Sequence, residues 1–416
     1  MSEKVMNRWF AVLGAVLIQL CLGAIYAWSV FTPKLVEAGW SKSETQWPFL
    51  TGLAFFAIVM VIAGRVMPTV GPRKLSIAGG IVLGLGYAIL GIMDTTNFWP
   101  VVILVGVVGG SGIGLAYVVP IAVGMRWFPE RKGLITGLAV AGFGFGAMLW
   151  VKLAGSWGHM IENMGLGSTF LIYGIVFLIA VVIGGIFMVF PPDGWLPEGY
   201  KPPEPAGDQA AAGSVDFTSG QMLRTPQFYM IFLAFVFGAG AGLMSIGLMK
   251  LFPMEALMKN GIEEAAASGI AGTAMAVFFS LANGIGRIAW GAMSEKLGRK
   301  LSVFLMLATQ GVVVILFQFM AGTPALLYLG ATIIGFNFGG NFALFPTITA
   351  DTFGTKNVGQ NYPWVFLAYG VGGIGGPLMG GRLGDLGNFP LAFTICGVAV
   401  LAGAVLAISV RPPRKA

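Results

Sequence analysis

Residues 265–293 read AAASGIAGTAMAVFFSLANGIGRIAWGAM. The run is long enough to cross a bilayer as a helix, and it is apolar almost throughout. Near its C-terminal third stands Arg287, a guanidinium that keeps its proton inside a protein. It is the one charge well inside any of the twelve apolar segments described below. A charge at membrane depth is costly and marks a functional position by default. Thr273, Ser280, Asn283 and Arg287 are spaced so that a regular helix places all four on one face. A polar stripe ending in a fixed cation predicts a cavity wall that receives an anion. The competing reading is an arginine that snorkels to the membrane surface.

Working outward, 56% of the 416 residues are hydrophobic and 10% are charged, whereas soluble proteins carry about 25% charged residues. The mean hydropathy is +0.84. This is the composition of a polytopic membrane protein. The 64 glycines, with no collagen period, suit close helix packing in lipid. Cys21 and Cys396 both fall in apolar segments, so a structural disulfide is not expected. His159 is the sole histidine, which leaves almost no material for a zinc site or a catalytic triad. No enzyme, metal or cofactor is expected. Met1 to Trp9 is short and polar and precedes a spanning-length segment, so no cleavable signal is expected.

The apolar segments run roughly over 9–31, 46–66, 75–93, 98–123, 134–155 and 169–190. After a gap come 227–251, 265–291, 301–320, 325–346, 362–383 and 390–410. The reading is an all-α integral membrane protein: a six-helix bundle over 1–190, a Pro-rich linker over 191–226, and a second six-helix bundle over 227–416. Within the linker, Phe217 to Leu223 predicts a short amphipathic surface helix. With both termini inside, seventeen of the 24 basic residues fall on that side, Lys4, Lys201, Arg414 and Lys415 among them. Six fall outside: Lys34, Lys42, Lys152, Lys250, Lys259 and Arg382. This bias follows the positive-inside rule. It accounts for the pI near 9.4 without a nucleic-acid partner and places both termini in the cytoplasm of a cell whose inner membrane the chain spans.

An internal repeat follows. After the second segment the chain reads Gly64-Arg-Val-Met-Pro68-Thr-Val-Gly71-Pro-Arg73-Lys74. After the eighth it reads Gly291-Ala-Met-Ser-Glu295-Lys-Leu-Gly298-Arg299-Lys300. Each has two glycines seven apart and then a basic pair, at an offset of 227 residues. Two six-helix halves related in parallel are the plan of a carrier that rocks about a central site. These loops resemble the signature of the major facilitator superfamily, G-x-x-x-D/E-x-x-G-x-R/K-R/K. The second copy fits, with Glu295 as the acid. The first departs from it, with Pro68 in the acid's place, which puts the usual loop-to-helix charge pairing of that half in doubt.

Further stretches resemble the oxalate/formate antiporter family within that superfamily: Tyr26-Ala-Trp28-Ser, Arg126-Trp-Phe-Pro-Glu-Arg-Lys-Gly133, Met222-Leu-Arg-Thr-Pro-Gln-Phe228, Asn283-x-x-x-Arg287, Phe338-Gly-Gly-x-x-x-Leu-Phe-Pro346 and Phe353-Gly…Gln360-Asn-Tyr362. The ordered set covers essentially the whole chain. The resemblance implies that Arg287 binds the substrate carboxylate, a bidentate match for a planar anion. Asn283, one turn earlier, either holds the guanidinium, contacts substrate or bonds between helices. The related monocarboxylate transporters often have an acid at this spacing, tied to proton coupling, and Asn283 cannot carry that proton. Tyr117 stands where family members place a site tyrosine; the alternative is a core aromatic. The oxalate-exchanging members carry a lysine where this chain has Tyr369. One fixed cation in place of two favours a monoanion, because a dianion would leave a charge unpaired in a low-dielectric site. Leu53, Phe143, Phe338, Phe342 and Phe366 appear where the oxalate exchanger is more polar, though each could equally serve packing.

Tyr26 and Trp28 are expected near the cavity mouth or as interfacial aromatics. Gln19 is expected to make a buried packing hydrogen bond. Glu264, Arg382 and Asp385 sit at helix ends as capping and interfacial charges, or as an outer gate, or, for Glu264, as a proton entry site. The expectation is a monomeric secondary carrier for lactate, pyruvate or formate, proton-coupled, with protons, the small carboxylate and the lipid bilayer as partners. The alternative is exchange of oxalate or another dicarboxylate. Gly109-Gly-Ser-Gly-x-Gly114 lies inside an apolar span with no strand before it and no P-loop lysine, so it is no nucleotide loop.

Overall fold

The computed structural model describes residues 6–41, 44–155, 157–200, 216–249, 251–411 and 413. The middle of the linker, 201–215, lies outside the described residues. So do Lys4, Lys42, Lys201, Lys250, Arg414 and Lys415 of the charge pattern. Helices dominate, and no strand occurs among the described residues. Twelve long ones are numbered here in chain order. They are α1 Trp9–Trp28, α2 Trp47–Val70, α3 Pro72–Gly91, α4 Phe98–Trp127, α5 Lys132–Ala154 and α6 Met160–Ile186. Then come α7 Pro226–Leu248, α8 Glu264–Leu297, α9 Arg299–Met320, α10 Pro324–Phe353, α11 Val358–Asp385 and α12 Phe389–Ser409. Eleven are long and apolar enough to cross a membrane. The twelfth, α11, has 28 residues, about 42 Å of helix; its glycines, which contribute little hydropathy, dilute its apolar character.

Helix ends depart from the apolar runs where backbone geometry allows. α6 begins nine residues earlier than its apolar run, because a short helical piece joins it across Gly165 at φ 77°. The helix expected at Phe217 to Leu223 shrinks to Ser219–Met222, closed by a reciprocal cap between Thr218 and Gln221. Phe217 is buried, and its N–H donates to the Phe353 carbonyl at 2.9 Å.

The chain forms two compact units. One comprises 1–130 with 138–202, and the other comprises 131–137 with 203–416. The repeat seen in the sequence reappears inside each. Gly71 closes α2 at φ 86°, ψ 153°, and Gly298 closes α8 at φ 82°, ψ 151°. That left-handed turn is open to glycine and strained for other residues. In the first unit α3 packs on α6, α2 on α4 and α1 on α5; in the second α9 packs on α12, α8 on α10 and α7 on α11. The contacts match position by position. A Cβ on Gly84 would come within 2.7 Å of the Gly174 carbonyl, and one on Gly311 within 2.9 Å of the Gly397 carbonyl. Gly110 and Gly114 of α4 abut the carbonyls of Gly52 and Phe56, while Gly335 and Gly339 of α10 abut those of Phe279 and Asn283. Small residues let helix backbones approach in lipid, where burial of apolar side chains supplies little drive between helices.

The two signature loops differ in charge as well as sequence. In the second unit Glu295 accepts the N–H groups of Gly133 and Leu134, the first turn of α5. Arg299 binds Glu295 at 3.1 Å and Asp351 at 2.9 Å, and Lys132 reaches Asp351 at 3.2 Å. At the matching place of the first unit Pro68 supplies no carboxylate, and Arg73 and Lys74 make no ion pair among the described residues.

The glycine contacts carry a direct test. Gly174→Val forces a branched side chain against Ala88 and the Gly84 carbonyl, an overpacking that costs about 1–3 kcal/mol. The expected result is a melting temperature several degrees lower in detergent. Gly269→Ala, with nothing within 4 Å of the added carbon, should leave it unchanged or raise it. Equal melting temperatures for both variants would remove close glycine packing as the cause.

Candidate functional site

Arg287 is completely buried, and its Nε donates to Asn283 Oδ1 at 3.1 Å. The two side chains are one helical turn apart on α8, the spacing at which they meet. The guanidinium carbon lies 4.2 Å from the centroid of Phe342 on α10, a cation–π contact. A snorkelling arginine would expose its head to the membrane surface. This one is held by an amide at Nε and by an aromatic face. Two backbone features make room for it. Gly339 lets α10 lie against the Asn283 carbonyl, and Gly137, in the stretch of α5 that belongs to the second unit, lies against the Arg287 carbonyl.

The polar stripe does not survive intact. Residues Ala274–Phe279 form π-helical turns, which are wider than α turns and shift the register of everything before them. Ser280 accordingly donates to the Met275 carbonyl, five residues back. Thr273 is exposed and bonds its own helix at Gly269, whereas Asn283 and Arg287 are buried. Thr273 thus leaves the expected face, while Ser280, half-buried at the start of the regular helix, keeps its spacing to Asn283 and Arg287. No periodicity argument that assumes 3.6 residues per turn could find the shift.

Around Arg287 the second unit gathers most of the expected aromatics. Phe342 meets Tyr369 edge-on at 5.5 Å and Phe338 edge-on at 5.3 Å. Tyr369 stacks on Phe366 at 5.1 Å. Phe338 also presses on α7, where Gly242 has no room for a Cβ against its ring. Behind the arginine, Trp290 donates to Asn337 Oδ1 at 3.0 Å, and Asn337 donates to Thr309 at 3.0 Å. This chain of hydrogen bonds ties α8, α9 and α10 together.

The first unit holds the other cluster. Tyr117 on α4 meets Phe143 edge-on at 5.5 Å and Phe56 edge-on at 4.9 Å. Tyr26 meets Phe143 at 5.1 Å and Phe49 at 6.3 Å. Gln19 makes the expected packing bond, donating to the Tyr117 carbonyl at 3.2 Å. Leu53 is buried on the same helix as Phe56, but Phe56 is the side chain that reaches Tyr117. Phe56 went unnoticed in the sequence because one phenylalanine among so many carries no signal. Trp28 is no interfacial anchor: it is buried, donates to the Thr45 carbonyl at 2.6 Å and stacks on Phe170.

Aligned by the internal repeat, the two clusters correspond. Tyr117 and Phe342 are 225 residues apart, Phe143 and Tyr369 226, and Phe56 and Asn283 227. The ring pairs Tyr117–Phe143 and Phe342–Tyr369 have the same 5.5 Å separation. Each unit therefore carries the same cluster, built on its second, fourth and fifth helices, and the second unit adds a cation where the first has Met60.

The charges proposed as a gate are not brought together. Glu264 lines a shallow cleft with Met254, Glu263, Ala265 and Ser268. Arg382 and Asp385 are exposed near the end of α11 and make no ion pair among the described residues. No group of three or more His, Cys, Asp or Glu that could hold a metal occurs among the described residues.

The oxalate:formate antiporter of Oxalobacter formigenes is 28% identical over 98% of this chain and 92% of its own length. Apicoplast pyruvate carrier 1 of Toxoplasma gondii is 22% identical, over 86% of this chain and 81% of its own. The crystal structure of the transporter FucP in its outward conformation superposes with a TM-score of 0.65 at 16% identity, covering 96% of this chain and 97% of that one; it shares the fold. The pattern of the Major Facilitator Superfamily matches residues 11–278 and 251–416, and the chain belongs to that superfamily of multi-pass membrane transporters.

Proposed function

We propose that this transporter carries a small monocarboxylate of the lactate, pyruvate or formate type, in symport with a proton, by alternating access. The observation that carries the reading is the environment of Arg287. Its Nε is committed to Asn283 and one face lies on Phe342. An arriving carboxylate is then engaged through the Nη edge, end-on, with the ring fixing the plane in which it docks. A guanidinium so held has little freedom left to lose on binding, which favours affinity.

Charge and shape set the class of anion. Every Asp and Glu of the second unit falls near a helix end or in a loop, so the fixed formal charge at this depth is the single one of Arg287. A monocarboxylate brings that sum to zero, whereas a dianion leaves a net negative charge among apolar rings, which is unfavourable in a low dielectric. Phe338, Phe342, Phe366 and Tyr369 add hydrophobic surface for a short carbon chain. Tyr117 is proposed as the hydroxyl donor of the first unit to the transported anion, with Tyr26, Leu53 and Phe143 shaping its surroundings. The excess of Lys and Arg in alternate loops supports cytoplasmic termini and, in a bacterial setting, the inner membrane. The second reading, exchange of oxalate or another dicarboxylate, is favoured by the similarity to the oxalate:formate antiporter.

Arg287→Ala should abolish uptake of labelled lactate, pyruvate and formate in cells while membrane expression stays at the wild-type level. Arg287→Lys should restore little, since an ammonium cannot pair bidentately. Wild-type uptake by the alanine variant would sink the proposal. Tyr369→Lys adds a second cation beside Phe342 and should raise competition by oxalate against the labelled monocarboxylate several-fold; an unchanged competition profile would separate specificity from charge count. In liposomes, an inward proton gradient should drive accumulation without any internal anion. Uptake that depends instead on preloaded carboxylate and ignores the gradient would assign exchange.

A further inference from the structure

At the membrane-surface end where α8 stops and α9 starts lies a groove of about 430 Å³. Its walls come from the ends of four helices: Leu297 of α8, Lys300 and Leu301 of α9, Asp351 of α10 and Ile408 of α12. The groove is two-natured. Leu297, Leu301 and Ile408 are 46%, 41% and 39% exposed, and Ile348 and Val410 form a buried apolar floor. Its rim is cationic. Asp351, the one acid lining it, is already paired with both Arg299 and Lys132. Lys300 is exposed and has no ion pair among the described residues, and Arg411 follows Val410, also exposed. The charge that remains is therefore positive, and it sits where a spanning helix leaves the hydrocarbon.

We propose that this groove binds an anionic phospholipid, with the headgroup phosphate at Lys300 and Arg411 and an acyl chain along Leu297, Leu301 and Ile408. Two complementarities select that occupant over others. A free phosphate or a soluble anion would use the cations and leave the leucine and isoleucine wall in contact with water. A zwitterionic lipid would fill the wall and bring its own cation to a rim whose acid is already satisfied. Basic pockets between helix ends at a membrane surface suit lipids of net negative charge. The proposal concerns the outer rim of the second unit and stands or falls separately from the carboxylate reading.

The test uses the full chain purified in dodecyl maltoside. Native mass spectrometry with equal amounts of phosphatidylglycerol and phosphatidylcholine of matched chains should show several-fold more phosphatidylglycerol retained. Lys300→Gln combined with Arg411→Gln should erase that preference while leaving phosphatidylcholine binding and the lipid-free melting temperature unchanged. A parallel thermal-shift series should show stabilisation by phosphatidylglycerol in the wild type and its loss in the double variant. Equal retention of the two lipids would overturn the proposal, as would a double variant that keeps the preference. Displacement of phosphatidylglycerol by millimolar inorganic phosphate would assign the site to free phosphate and likewise overturn it.

Discussion

A guanidinium buried in the middle of a greasy helix is the constraint on which the second unit depends. Removing an ion from water costs several kcal/mol even after the protein relaxes, and translocation of a central arginine costs about 2.5–3.5 kcal/mol on insertion scales. Such a group persists only where neighbours take over part of water's role. Asn283 does so at Nε and Phe342 does so at the face. The first contact lies within α8, one turn apart, whereas the second requires α8 and α10 to lie very close together. That is why Gly286, Gly335 and Gly339 stand where any side chain would strike the partner backbone. The glycine content is thus the condition for the charge.

The same close packing recurs in the first unit without a charge. Gly110 and Gly114 bring α4 against α2, and Tyr117 lands where the repeat places Phe342. A duplicated scaffold has diverged in chemistry at matched positions. One copy retains a phenol flanked by phenylalanines, and the other has a phenylalanine beneath an arginine. The divergence extends to the loops. Glu295 reaches the first turn of α5 and joins a network with Arg299, Asp351 and Lys132, whereas its counterpart is Pro68. Both the polar centre and the polar loop of this protein are therefore concentrated in one half.

What the sequence disclosed follows from which physical signals are local. Hydropathy over twenty residues, a charge inside an apolar run and paired glycines seven apart are one-dimensional, and they led to the helices, Arg287 and the repeat. Asn283 was legible because one helical turn is a fixed spacing. Thr273 was misplaced because the π turns at Ala274–Phe279 leave no mark in composition. Phe56 and Gly137 were invisible for another reason: their roles arise from contacts across helices far apart in the chain, with Tyr117 and with the Arg287 carbonyl. Trp28 had two readings because tryptophan serves interfaces and interiors alike, and its burial and its bond to the Thr45 carbonyl set aside the interfacial one.

The π turns also bear on how the site could work. π turns are rare, interrupt the regular i→i+4 ladder of an α-helix, and occur frequently at functional sites. In α8 it falls immediately before Ser280, one turn ahead of Asn283 and two ahead of Arg287. The half of α8 that bears the cation is locked to α10 by glycine contacts and by the Trp290–Asn337–Thr309 bonds. The half beyond the π turns is more exposed, with Thr273, Gly269 and Glu264 carrying no such ties. One helix thereby combines a segment tied to α10 that holds the charge in place with a more exposed segment that lacks those ties. In a carrier, the anchor must keep its geometry while the path to it changes, and a single break placed at that boundary separates the two demands.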